Sequence, residues 1–208
     1  TAPAGAVTPA VASNATTPTA AEDDPPANTA DSAAPATAEP TAPLGIGSAG
    51  YSAPLPPVRI PPSATLQFAA QGSAKGFQYS AKAPLRFKTD GLTYQAQQDV
   101  SAFLVGTRTQ TSTGRVTAHG LAPQRFGDKA RSERAAHLDP EKRRITYSGN
   151  DPEQPISTGA QDRLSIFLQL ASMIAAGPER YPIGSIISIK VTSARAADVW
   201  TFVVEGPE

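Results

Sequence analysis

The chain contains two histidines, His119 and His137, and no cysteine. Thiolate zinc sites, cysteine nucleophiles and disulfides are therefore excluded. Ser112, His137 and Asp162 are the types a hydrolytic triad needs: a hydroxyl, a base to take its proton and a carboxylate to orient the base. No G-x-S-x-G elbow presents a serine, and their spacing does not draw the three together. His119 precedes Gly120 and reads as a turn residue, and His137 in "RAAHLD" reads as structural. There is no H-x-H, H-E-x-x-H or clustered carboxylate pattern, and no glycine-rich phosphate loop. The chemistry predicts no enzyme, no metal and no cofactor.

Two charged stretches remain. "RFGDKARSER" puts Lys129, Arg131 and Glu133 on one strand face, with Arg125 on the same parity and Arg108 and Arg115 on the strand before. Such a ladder suits phosphate or lipid headgroups, or is a solvated face of alternating charge. Arg163 in "QDR" lies inside an otherwise apolar arc, where a buried guanidinium needs a partner such as Asp162 or a strand carbonyl.

The elements that must position these residues are mostly strands. "FQYSAKAPLRFK" alternates over residues 77–88, with Phe77, Tyr79, Ala81, Ala83, Leu85 and Phe87 on one face. Pro84 on the wet face suggests an edge strand or a bulge. "TLQFAA" precedes it, Asp90–Gly91 turns the chain, and "LTYQAQQDV" returns with Leu92, Tyr94, Ala96 and Val100 on one face. Further strands are "SAFLVGTRTQTSTGRVTA", the charged "QRFGDKARSERAAHL" and "RRITYSG" with Ile145 and Tyr147 inward, and turns fall at His119–Gly120 and "DPEK". "GSIISIKVTS" and "DVWTFVVEG" form a last hairpin.

Between them lies "GAQDRLSIFLQLASMIAAGP", a helix over about 160–176 stopped by Gly177–Pro178. On a wheel, Gln161, Asp162, Ser165, Gln169 and Ser172 share an arc of about 100°, and apolar residues cover most of the rest. At 1.5 Å per residue it rises about 24 Å, short of a bilayer core. So wide an apolar arc predicts apolar neighbours on several sides. The fold expected is mainly β: an antiparallel meander of seven or eight strands forming a strongly curved sheet or half-open barrel around one late helix.

Residues 1–62 hold 13 of the 21 prolines and a single aromatic, Tyr51. They read as a disordered Pro/Ala/Thr-rich acidic linker ahead of a β-rich domain over 63–208. Residues 1–58 carry five acids and no base, leaving 18 basic and 13 acidic residues in 59–208. A surplus of five charges spread over that length is too dilute for nucleic acid.

At "SAFLVGTRTQTSTGRV", "GLAPQRFGDKARSERAAH" and "GAQDRLSIFLQLASMIAAGPERYPIGSIISIKV" the chain resembles an uncharacterised family of exported proteobacterial proteins, domain of unknown function 3108. The resemblance covers about residues 62–206. It implies a periplasmic or cell-envelope location, a β-rich domain and no established activity. It also implies a membrane anchor ahead of the linker and further strands after Glu208. Relatives carry an Asp–Gly type turn where this chain has His119–Gly120, which counts against a catalytic His119.

The function expected is non-enzymatic binding of an apolar ligand, such as a lipid, or of a hydrophobic partner segment. Phe77, Tyr79, Phe87, Tyr94, Leu164, Phe167, Leu168 and Trp200 would line the site, with Arg163 as its polar end. Membrane contact would run only through the anchor. The alternative is a structural module of a periplasmic complex, pairing an exposed sheet edge with a partner strand.

Overall fold

The computed structural model describes residues 45–74, 77–102 and 106–206. Most of the expected linker, residues 1–44, lies outside the described residues.

Eight strands follow one another as an antiparallel meander: β1 (Ala64–Ala74), β2 (Phe77–Thr89), β3 (Thr93–Ala102), β4 (Gly106–Thr117), β5 (Gly120–Lys129), β6 (Glu133–Asp139), β7 (Arg144–Tyr147) and β8 (Gln154–Pro155). Each lies beside its predecessor, so among the described residues the sheet is open at both ends and closes no barrel. The stretch expected as one charged strand is two, β5 and β6, broken at residues 130–132.

The period-two pattern sets the faces. Ala83, Leu85 and Phe87 are buried, while Lys82, Arg86 and Lys88 between them are exposed. Tyr94, Ala96, Ile145 and Tyr147 are inward as expected, but Leu92 is 75% exposed, because it falls in the turn ahead of β3. Pro84 does not mark an edge, because β2 is paired on both sides. Instead the β2–β3 ladder skips Ala83 and Pro84, where proline offers no N–H. Pro123 is accommodated differently. The β4–β5 register slips between Thr113 and Gly114, and a side chain at Gly114 would strike the Ala122 carbonyl.

After β8 the chain forms β9 (Gln161–Asp162), helix α1 (Ser165–Ala176), a 3-10 turn (Pro178–Arg180), β10 (Ile186–Thr192) and β11 (Ala197–Val203). A second sheet has the order β11–β10–β9, with β9 parallel to β10. The helix therefore starts later than expected. Gln161 and Asp162 pair with Val191 and Thr192, and the Arg163 N–H continues to the Thr192 carbonyl at 3.1 Å.

The core has two parts that meet at α1. Leu164 and Leu168 pack with Phe87, Leu121, Phe126 and Ile145 of the large sheet. Ile166 and Met173 pack with Ile187, Ile189 and Val191 of the small one. Each of these side chains contributes about 1.5–3 kcal/mol by leaving water.

Residues 45–62, expected within the linker, belong to the fold. Ile46 bridges to β10 through its N–H to the Ser188 carbonyl (2.8 Å) and its carbonyl to the Lys190 N–H (2.7 Å). The Arg59 N–H reaches the Ser172 carbonyl at 2.8 Å, and Val58 and Ile60 pack on the two core clusters. Composition averaged over the whole proline-rich block conceals these few aliphatic residues.

Candidate functional site

The polar arc of the helix is its most buried part. Gln161, Asp162, Ser165 and Ser172 have no exposed surface, and Gln169 has almost none. Asp162 organises the helix start: its Oδ1 accepts the N–H groups of Leu164 (2.9 Å) and Ser165 (2.8 Å), while its own N–H donates to Ser165 Oγ (2.9 Å). These satisfy donors that a helix start leaves open. Its Oδ2 accepts the Ser112 hydroxyl from β4 at 2.5 Å, and Ser112 Oγ lies 2.8 Å from the Tyr94 hydroxyl. Burial raises the Asp162 carboxyl to about 6, against the pull of the Ser112, Ser165 and Leu164 hydrogen bonds. Burial also drives Tyr94 well up, and the Asp162 charge adds to this.

Two glutamines tie the helix to the open side of β5, beyond the end of its pairing with β6. Gln169 Oε1 accepts the Leu121 N–H at 2.9 Å, and its Nε2 donates to the His119 carbonyl at 3.0 Å. Gln161 Nε2 donates to the Leu121 carbonyl at 2.8 Å. These are structural anchors. Ser112 donates its hydroxyl hydrogen bond to a carboxylate in a site without solvent access, and His137 is exposed on β6 between the inward Ala136 and Leu138. The structure joins the serine and the aspartate but leaves the base outside, so no triad forms.

The basic ladder is partly neutralised. Arg108 engages both Asp128 oxygens, which holds that carboxyl below its ordinary range. Arg125 pairs with Glu133, and Arg86 with Asp99 at 2.5 Å. Arg131 sits in the turn between β5 and β6.

Comparison with family models, with curated proteins and with solved structures returns no match for this chain. The site is read from its own geometry.

Of the expected ligand-lining residues, Phe87, Tyr94, Leu164 and Leu168 come together, but they pack against one another as core. Phe77 and Tyr79 lie in β2, and their side chains are outside the described residues. Phe167 points outward and is 52% exposed. Trp200 packs on the small-sheet core. Arg163 is not a buried polar end: it is exposed, with Cζ 5.4 Å from the Trp200 ring centroid. Two surface depressions lie elsewhere. One of about 560 Å³ runs between residues 132–134 and 148–151, and one of about 260 Å³ is bounded by residues 117–123 and 156–160.

Two surfaces remain that sequence reasoning did not single out by residue. One is the outer edge of β1, "ATLQFAAQGSA": eleven residues in unbroken register with β2, with no charge and no proline. Among the described residues nothing pairs with that edge. Leu66 on its core-side face is 44% exposed, and Phe68 is half-buried. The other surface is the outward side of α1.

Proposed function

We propose that this chain is a non-enzymatic assembly module that accepts an extended segment of a partner protein as an added strand on β1. The β1 edge carries this reading. Sheet edges are normally blunted with lysine, proline, bulges or short length, and β1 has none of these. A partner strand would complete its hydrogen bonds and cover Leu66 and Phe68 with alternate side chains. Against the apolar-carrier reading stands the fate of its residues: four of them fill the core. The setting we propose is the cell envelope, on the strength of the resemblance at residues 159–191.

Amide hydrogen exchange tests the reading, with a synthetic peptide of alternating valine and threonine, lysine at each end, as the probe. Binding should slow exchange along β1 and leave β5 and β10 unchanged. Leu66→Pro and Gln67→Pro sharpen the test, because both side chains are exposed and successive N–H groups of a strand point to opposite edges. One variant should disturb the β1–β2 ladder, and the other should keep the fold and lose the peptide. Unchanged β1 exchange at saturating peptide, or binding retained in both variants, sinks the proposal.

A further inference from the structure

The backbone fixes which groups the β1 edge offers. The Thr89 N–H points to the β1 side of β2, where it donates to Ser63 Oγ at 2.9 Å. Along a strand these groups alternate, so the odd-numbered residues of β2 face β1. Their partners Ala64, Leu66 and Phe68 therefore commit their N–H and carbonyl groups to β2. Pro84 obeys the same alternation, since its missing N–H falls on the β3 side, where the ladder skips it. The open edge is left with the backbone groups of Thr65, Gln67, Ala69, Gln71 and Ser73.

These positions are symmetric about Ala69, the middle of the eleven-residue strand. Antiparallel pairing of two copies of β1 over the whole strand sets Thr65 opposite Ser73, Gln67 opposite Gln71 and Ala69 opposite itself. Each of these is a pair of open backbone groups, and two hydrogen bonds at each pair make about ten in all. The residue types match too. Threonine with serine and glutamine with glutamine are favourable cross-strand pairs. On the core-side face the large Leu66 and Phe68 come opposite Gly72 and Ala70. β1 carries no charge to repel its copy. The nearest like-charged rows, Lys82 and Arg86 of each β2, would stand three strand spacings apart, about 14 Å, beyond a Debye length of about 8 Å at physiological salt.

The other edge strands among the described residues do not match β1. β8 and β9 have two residues each, and β11 has seven, Asp198 among them. Pairing β1 with its own copy also closes the assembly. The joined sheet would end in β8 on both sides, an edge too short to recruit a further copy.

We propose that the strand added to β1 is β1 of a second copy of this chain, paired antiparallel about Ala69. The proposal rests on the strand-addition reading and names its partner. A contact made by one strand is small, so the dimer belongs to the weak, concentration-dependent class.

Sedimentation velocity of the full chain from about 10 µM to about 1 mM reads dissociation constants of the micromolar-to-millimolar class. A monomer–dimer equilibrium is expected. Gln67→Pro removes an N–H of the open edge only, and should abolish the dimer with the far-UV circular dichroism unchanged. The chain has no cysteine, so single cysteine variants read the register directly. In this pairing the two Ala69 Cα atoms lie about 5.5 Å apart, within disulfide reach, and the two Thr65 Cα atoms about 27 Å apart. Under mild oxidation Ala69→Cys should form a covalent dimer at least about tenfold faster than Thr65→Cys. If Gln67→Pro unfolds, the cysteine pair decides alone. A chain that stays monomeric throughout overturns the second copy. Strand addition then stands if the valine–threonine peptide still slows β1 exchange, and falls as well if it does not. A dimer that survives Gln67→Pro in the folded state places the interface elsewhere and overturns the proposal. Equal cross-linking of the two cysteine variants refutes the pairing about Ala69, and growth beyond the dimer refutes its two-fold closure.

Discussion

The Ser112 hydroxyl donates a 2.5 Å hydrogen bond to Asp162 Oδ2, tying β4 to the start of α1 across fifty residues of sequence. Both groups are fully buried. Ser112→Ala should therefore remove the only side-chain donor to that oxygen among the described residues and leave a buried acceptor unmet. The expected loss is about 2–3 kcal/mol, read as a lower urea midpoint with unchanged slope.

The same carboxyl makes stability depend on pH. Its native value of about 6 lies above the ordinary 3.8. Between these values the native state holds a proton that the unfolded state has released. The contribution is full below 3.8, falls as pH rises through the window and is flat above about 6. Urea midpoints from about pH 4.5 to about pH 7.5 should show native stability dropping by about 1–3 kcal/mol relative to Asp162→Asn, which cannot titrate.

Gln169 satisfies two backbone groups at once, the Leu121 N–H and the His119 carbonyl. Gln169→Leu keeps much of the volume but strands both. A loss of about 2–4 kcal/mol is expected, with faster amide exchange at Leu121. Gln169→Glu should cost less at low pH, where the protonated acid can donate in place of the amide.

Gly47 tests whether residues 45–48 belong to the fold. It has φ of 83°, and a side chain there would run into the Ala160 backbone. Gly91 has φ of 88° with open space around it. Gly47→Ala should cost more than about 2 kcal/mol and Gly91→Ala about 1 kcal/mol, compared by thermal unfolding. Equal effects would mean that the segment contributes no packing.

Arg163 rests over the ring of Trp200, the single tryptophan. Arg163→Gln should cost under about 1 kcal/mol and shift the tryptophan emission, because a cation–π contact at an exposed site is weak but optically close. A large loss of stability would indicate a buried role that the exposed guanidinium does not have.

Much of the β architecture is legible in the residues themselves. The alternation across Ala83, Leu85 and Phe87, the Asp90–Gly91 turn and the β-branched β10–β11 pair follow from local geometry, since a strand has period two whatever surrounds it. The linear sequence also determines the charge balance and the absence of thiol chemistry. It shows a helix near residues 160–176 with one polar and one wide apolar side, though not its start at Ser165, which the pairing of Gln161 and Asp162 with β10 decides.

The tertiary structure alone decided which side of that helix faces inward. A wheel is read on the premise that water takes the polar arc. Here the Leu121 N–H and carbonyl and the His119 carbonyl needed partners more than the glutamines needed water. That demand arises only once β4, β5 and α1 are brought together from distant parts of the chain. The pairing of Ser112 with Asp162, the capture of Ile46 by β10 and the β1 edge left unpaired among the described residues have the same origin. Each is a relation between segments far apart in sequence, set by which backbone groups remain unpaired after the local structure has formed.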